Sequence, residues 1–221
     1  MSSGCSTVWA SLPYDERILP QLDELAGPRR RMLDAFCGQG REAEVFARNG
    51  FEVTAIDQLP WMISAARQYA ADTRFSATFL TADFHTYTTD TPFDVVYTSC
   101  WMYTTCQTSA RRIAFLQQCR QLVADDGLIV MSYIAGDGDF RPAGILRLCC
   151  ARLAGLLTNG NRHVEFGERI YSGLFWHHLS EKQVLRETAS TELETVRVIP
   201  GEGAEPTFRI LRRRMSMEDV G

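Results

Sequence analysis

The chain has 221 residues, 45% of them hydrophobic and 23% charged, proportions that fit one globular domain large enough for a three-layer core. Its formal net charge of -4 argues against a nucleic-acid polyanion as the main partner. No basic region followed by an apolar run opens the chain, and the longest apolar segment, 143–157, is interrupted by Arg147 and Arg152 and is too short to span a bilayer.

A cytoplasmic protein with no membrane partner is therefore expected. The seven cysteines show no C-x-x-C pair and no histidine at zinc spacing, which predicts reduced thiols and no metal site. Arg29-Arg30-Arg31 and Arg212-Arg213-Arg214 are the only basic runs and read as solvated ends of strands.

From the N-terminus, residues 1–12 are expected to be poorly ordered and 13–26 to form a helix, so that 1–30 make a cap. Strands are expected near 31–36, 51–56, 77–82, 93–98, 128–134, 192–199 and 206–212, with helices between them. Asn49-Gly50 suits a left-handed helix end, Pro60 a first helical turn, and Ser180-Glu181-Lys182-Gln183 a capping box. Residues 135–179 replace a short connection after the fifth strand. They leave from a carboxyl strand end, where open α/β sheets bind ligands, and are read as an inserted lid containing an amphipathic helix at about 142–157. The alternative is a packing or dimer element. Asp137 and Asp139 lack the glutamate and glycine positions of a calcium loop and read as a solvated turn.

The most informative stretch is Met32-Leu33-Asp34-Ala35-Phe36-Cys37-Gly38-Gln39-Gly40, followed by a helix and then by a second strand ending in Asp57. A strand, a glycine turn, a helix and an acid ending the next strand form the nucleotide-binding half of an α/β sheet, with the acid placed to accept a ribose diol. Gly38-Gln39-Gly40-Arg41-Glu42-Ala43 also satisfies the dinucleotide pattern G-x-G-x-x-A. Asp34 discriminates between the two. A carboxylate inside the first strand would repel a pyrophosphate, whereas S-adenosylmethionine (SAM) brings an ammonium and a sulfonium. The alternative for Asp34 is a hydrogen bond to the turn's own amides.

On these residues the chain resembles the class I SAM-dependent methyltransferases, whose first motif, D-x-G-C-G-x-G, is matched by Asp34, Cys37, Gly38 and Gly40. Phe36 departs from it, as in some nucleic-acid methyltransferases of that family. Those carry an N/D-P-P-Y/F/W motif after the fourth strand, and here that segment, Thr98-Ser99-Cys100-Trp101-Met102-Tyr103, has no proline.

The resemblance implies a Rossmann-like three-layer sandwich with a mostly parallel seven-stranded sheet and an antiparallel last strand. It covers 31–134 well and 180–213 loosely. SAM would be held by Asp34, Phe36, Cys37, Gly38, Gly40, Asp57, Gln58, Asp83, Phe84 and Ser99, with Asp83 on the adenine amino group and Phe84 beside the ring.

Methyl transfer from SAM needs alignment and exclusion of water more than a strong base. Candidate bases or polar aromatic groups are His177 and His178, then Tyr14, Tyr103 and Tyr171. Trp61, Trp101, Tyr103, Phe140, Phe166, Phe175 and Trp176 fall in segments expected near the site and suit a small, largely apolar acceptor; for Trp61, on a helix, a core position is the expectation.

The leading reading is a small-molecule methyltransferase, of secondary metabolism. The alternatives are an enzyme that cleaves or cyclises the aminocarboxypropyl arm of SAM, releasing methylthioadenosine, and a non-catalytic SAM- or NAD-binding module.

Overall fold

Met32, Leu33, Asp34 and Ala35 are all buried in β1 (Arg31–Ala35), as a strand covered on both faces requires. A computed structural model describes residues 17–28, 30–98, 101–136, 142–158, 164–171, 173–201 and 205–214. Beside β1 lie β2 (Glu52–Asp57), β3 (Thr78–Thr81), β4 (Phe93–Thr98), β5 (Val123–Tyr133), β8 (Leu193–Ile199) and β9 (Thr207–Arg213). They form one seven-stranded sheet in the order β3-β2-β1-β4-β5-β9-β8. The pairs from β3 to β5 are parallel, and β9 runs antiparallel to both its neighbours. This is the expected mostly parallel sheet with an antiparallel last strand.

The chain steps outward from β1 to β2 and β3, then returns to pair β4 with the other side of β1. That reversal opens a crevice at the carboxyl ends of β1 and β4. One sheet face packs on α1 (Leu19–Ala26), α2 (Arg41–Arg48) and α3 (Pro60–Thr73), through Leu22, Phe46 and Ala66 against Met32, Val53 and Tyr97. The other packs on α5 (Ser109–Leu122) and α7 (Glu181–Ala189), through Phe115, Leu116 and Val184 against Leu33, Val96 and Ile129.

The helix signals hold. Gly50 takes φ +84° after α2, Pro60 opens α3, and Ser180 and Gln183 form the reciprocal capping box of α7. Within the described residues α1 begins at Leu19, and 1–16 lie outside them.

One boundary and one burial differ from expectation. β5 starts at Val123, because Val123 already pairs with Phe93 and a register shift between Phe93 and Val95 absorbs the Asp125-Asp126-Gly127 segment that reads as a turn. Trp61 is 58% exposed, since it follows Pro60 in the first turn of α3 while Ile63 and Ala66 face the sheet.

The insertion forms α6 (Pro142–Leu157), as expected, and an unforeseen antiparallel hairpin of β6 (Glu168–Tyr171) and β7 (Leu174–His177). A short α4 (Met102–Thr105) follows β4. Three arginines of the basic runs are tied down: Arg30 pairs with Asp23, Arg31 donates to the Pro92 carbonyl, and Arg213 binds Asp125 and the Val123 carbonyl. Among the described residues no helix is long and apolar enough to cross a membrane, and no cysteine is in a disulfide.

Candidate functional site

The turn after β1 is built by backbone geometry. Phe36, Gly38 and Gly40 all take positive φ, +63°, +53° and +83°. For Phe36 that conformation costs about 1–2 kcal/mol, offset by packing: its ring lies 4.8 Å from Phe84 and stacks at 5.9 Å on Phe115. A left-handed residue is needed where the family's usual motif has glycine, and here an aromatic fills it by burying its side chain. At Gly40 a Cβ would come within 3.1 Å of the Phe79 ring and 3.3 Å of the Ala66 Cβ, so any side chain there makes these neighbours give way.

Asp57 ends β2 and reaches back into this turn. Its Oδ2 accepts from the Gly38 amide at 3.1 Å, and its Oδ1 accepts from the Leu59 amide at 2.8 Å. Two backbone donors fix the carboxylate at the mouth of the turn and leave further lone pairs for a diol. The Gly40 amide bonds to the Cys37 carbonyl at 2.8 Å; the two glycine amides thus have acceptors other than Asp34. Asp34 is fully buried beneath the turn. Burial, and then the negative charges of Asp34, Asp57 and Glu42, push the Cys37 thiol up, so it stays protonated.

One strand further out, the Ala82 amide donates to the Asp57 carbonyl, which sets Asp83 at the adjacent strand end, where its Oδ1 accepts from the His85 amide at 2.9 Å. Asp83 and Gln58 are exposed. Phe84 is not an exposed ring: it is 2% exposed and sits in the core behind Phe36 and Phe115. Ser99 and Tyr14 lie outside the described residues, as does the side chain of Tyr171.

Beyond β4, Trp101 adopts a left-handed conformation (φ +59°) and its amide donates to Ser132 Oγ at 2.8 Å. This turns its indole toward the hairpin, where it meets Trp176 edge to face at 5.9 Å. His178 follows β7 beside the end of β5: its amide donates to the Gly167 carbonyl, and a Cβ on Gly136 would lie 3.0 Å from its own Cβ. The His178 ring is half-buried, and desolvation, then Arg169, hold its pKa below the usual histidine value. It is neutral at pH 7.

Two other candidates are committed elsewhere. Arg112, on α5 and fully buried, donates to Glu187 of α7 (2.7 Å) and to Glu165 of the insertion (2.6 Å). It also donates to His177 Nδ1 at 2.9 Å, while His177 Nε2 bonds the Phe166 carbonyl at 2.7 Å. These partners set His177 as the neutral Nε2–H tautomer, and burial, then Arg112, lower its pKa. The Tyr103 hydroxyl donates to Glu187, and burial, then the Glu187 charge, push its pKa up. His177 and Tyr103 thus join an internal polar network and have no free atom for a substrate proton, which corrects their candidacy as bases.

Glu165 Oε1 also accepts from the Ser109 amide, so the same side chain caps α5 and holds the insertion. Arg112, Glu165 and Glu187 were not foreseen. Arg112 falls on the apolar face of α5, three and four residues before Phe115 and Leu116, and a cation in that register is the signal that points to it. Glu165, Glu168 and His177 offer ligand atoms within 4.8 Å of one another, but the Arg112 guanidinium bonded to both Glu165 and His177 opposes a cation there.

Residues 32–127 match the family model described as a methyltransferase domain. No curated protein sequence matches the chain. Solved structures with a similar fold include a SAM-dependent methyltransferase from Methanosarcina mazei, with a TM-score of 0.68 at 18% identity, covering 89% of this chain and 98% of that one. The magnesium protoporphyrin IX methyltransferase of Synechocystis, solved with S-adenosylhomocysteine, gives 0.64 at 15% identity over 91% and 82%. A Burkholderia thailandensis 1,6-didemethyltoxoflavin N1-methyltransferase, with that compound and S-adenosylhomocysteine bound, gives 0.66 at 17% over 94% and 81%.

Proposed function

We propose that this chain, whose residues 32–127 match a methyltransferase-domain model and whose fold is that of SAM-dependent methyltransferases, is a class I SAM-dependent methyltransferase that methylates a small, largely apolar acceptor held between the carboxyl ends of β4 and β5 and the inserted hairpin. The carrying observation is that Trp101, just beyond β4, meets Trp176 of the hairpin edge to face, while His178 lies against Gly136 just past the end of β5. Two structural neighbours are named for small-molecule acceptors, magnesium protoporphyrin IX and 1,6-didemethyltoxoflavin.

The cofactor fits the charges present. The anchored Asp57 suits a free ribose, and the buried Asp34 suits a cationic amino-acid arm and opposes a pyrophosphate. SAM, when bound, supplies a methyl group on a positive sulfur, already activated toward in-line displacement. Asp57 would accept the ribose hydroxyls and Asp83 the adenine amino group. Gly38, Gly40 and Cys37 would present turn backbone, and Gln58 and Ser99 would line the nucleoside. Phe36 and Phe84 act from beneath, as the packed floor that holds the turn.

His178 is our candidate for the group that takes the acceptor's proton, because its ring is neutral and His177 and Tyr103 are already bonded within the protein. Tyr14 and Tyr171 are proposed, from the sequence alone, as further polar aromatic groups around the sulfonium. Residues 135–179 would cover the acceptor and exclude water, and hydrogen exchange that slows there on SAM binding tests this role. A cytoplasmic enzyme of secondary metabolism accords with this reading.

Incubation with methyl-labelled SAM and a panel of small aromatic phenols and amines provides the test. S-adenosylhomocysteine should form only with an acceptor, and SAM alone should survive. His178→Gln should lower turnover at least about a hundredfold with SAM affinity unchanged. Accumulation of methylthioadenosine without an acceptor would overturn the proposal, since it requires attack on the aminocarboxypropyl arm.

A further inference from the structure

Three cations from two separate elements converge on a cleft that methyl transfer does not use. The cleft, of about 630 Å³, lies between α5, α7 and the insertion, and its volume is usual for a small-ligand site. Arg152 enters it from α6, Lys182 and Arg186 enter from α7, and Ile113 and Phe166 add apolar surface. All three cations are exposed, and none is in an ion pair among the described residues. The carboxylates that also line the cleft are already engaged, since Glu165 and Glu187 are both bonded to Arg112. Counting Arg112, the lining holds four cations against two carboxylates, so the cleft is positive. Arg152 Nε donates to the Val164 carbonyl and Arg186 Nε to the Lys182 carbonyl, and both guanidinium ends stay uncommitted among the described residues. Gln183 gives its Oε1 to Ser180, which leaves its amide nitrogen as a further donor.

The placement of these cations works against folding. Lys182 stands in the first turn of α7, where the helix dipole disfavours positive charge, and Arg186 four residues on is a like-charge neighbour. Arg152 brings a third positive charge from the insertion. Local rules broken with no gain in pairing are expected at functional sites, and the charge that balances these three is an anion. Two guanidinium groups beside an ammonium favour phosphate, whose oxygens accept the paired donors of arginine, while Ile113 and Phe166 suit an apolar or aromatic body. We propose that the cleft binds a small organic phosphate, which bridges Arg152 of the insertion to Lys182 and Arg186 of α7 and so clamps the insertion to the body of the fold. This cleft is separate from the proposed acceptor site. Side chains alternate along β7: Trp176 meets Trp101, while His177 turns the other way to Arg112 and Phe166, which line the cleft. The two sites therefore lie on opposite faces of one hairpin, and phosphate binding does not depend on which acceptor is methylated.

The test is calorimetry of the full-length protein with phenyl phosphate, with inorganic phosphate and with phenol. Phenyl phosphate should bind one to one, inorganic phosphate about tenfold more weakly for want of the ring, and phenol not measurably; added salt should weaken both phosphates. Lys182→Glu should weaken phenyl phosphate binding about tenfold or more, and Arg152→Gln several-fold. Without ligand, Lys182→Glu should melt no lower than wild type, because an acid in the first turn suits the helix dipole and pairs with Arg186. Phenyl phosphate should also slow hydrogen exchange in 142–157 of the wild-type protein and leave that of Lys182→Glu unchanged. Phenyl phosphate that does not bind, that binds both variants as tightly as wild type, or that phenol matches would each overturn the proposal. A Lys182→Glu protein melting well below wild type would show a structural lysine and overturn it as well, and binding that leaves exchange in 142–157 unaltered would overturn the clamp.

Discussion

Residues 31–98 and residues 135–179 are held to the same sheet by opposite means. The first region buries its apolar side chains in two continuous layers, with Met32, Val53 and Tyr97 on one face and Leu33, Ile56 and Val96 on the other. Its one fully buried charge is Asp34. The insertion leaves most of the apolar side of α6 in solvent and is fastened by charge, through Glu165 and His177 on the buried Arg112. A turn that must present backbone to a ligand is stabilised by packing that tolerates little movement. A segment attached through a few polar bonds can open without dismantling the core.

The strongest way to break this contrast is Arg112→Met. Removing the shared cation leaves Glu187 buried without its partner and frees Glu165, and should cost about 3–5 kcal/mol in urea unfolding, while any SAM affinity of the folded fraction stays near wild type. A loss below about 1 kcal/mol would show that the network is not what anchors the insertion. Asp57→Ala acts on the other region. It should weaken SAM binding by about 2 kcal/mol, measured by calorimetry, with S-adenosylhomocysteine affected alike and NAD binding by neither protein.

The comparison sharpens with pH. His177 is held neutral in the folded state, with its pKa below the ordinary value of 6.5. As pH falls through 6.5 the unfolded chain takes up a proton that the folded chain refuses, so stability present above that pH is lost below it, by at most about 1.4 kcal/mol per pH unit for this one group. His177→Gln should flatten that part of the stability profile. The smallest effect is expected at Gly38→Ala, where φ is +53° and nothing lies within 4 Å of the added Cβ. Only the backbone term of about 1 kcal/mol should appear in the melting curve, whereas Gly40→Ala should cost more, because Phe79 and Ala66 must also move.

Much of the first region was legible because its signals are local. A buried strand, a glycine turn, an acid seventeen residues after Gly40, an Asn-Gly helix end and a proline helix start each lie within a short window. The insertion was legible as a length and as one amphipathic helix. Its hairpin was missed because each of its strands is only four residues long and no Asn-Gly pair, the signal of a tight hairpin, stands between them in the sequence. The start of β5 was misread because Asp125-Asp126-Gly127 has the composition of a turn, and only pairing with Phe93 makes it strand.

What the residues determine by themselves is the strand, glycine turn, helix and strand of a nucleotide-binding half-sheet and the acids placed for a cationic adenosine cofactor, since strand periodicity, turn chemistry and buried charge are near-neighbour properties; the mostly parallel seven-stranded sheet was implied by the family resemblance. Tertiary structure decided which of two adjacent histidines is available. His177 and His178 are one bond apart in sequence and alike in type, yet the alternation of side chains along β7 and its exit sends the first inward to Arg112 and leaves the second beside Gly136 at the end of β5. That choice depends on Arg112, sixty-five residues away in the chain, and no local pattern contains it.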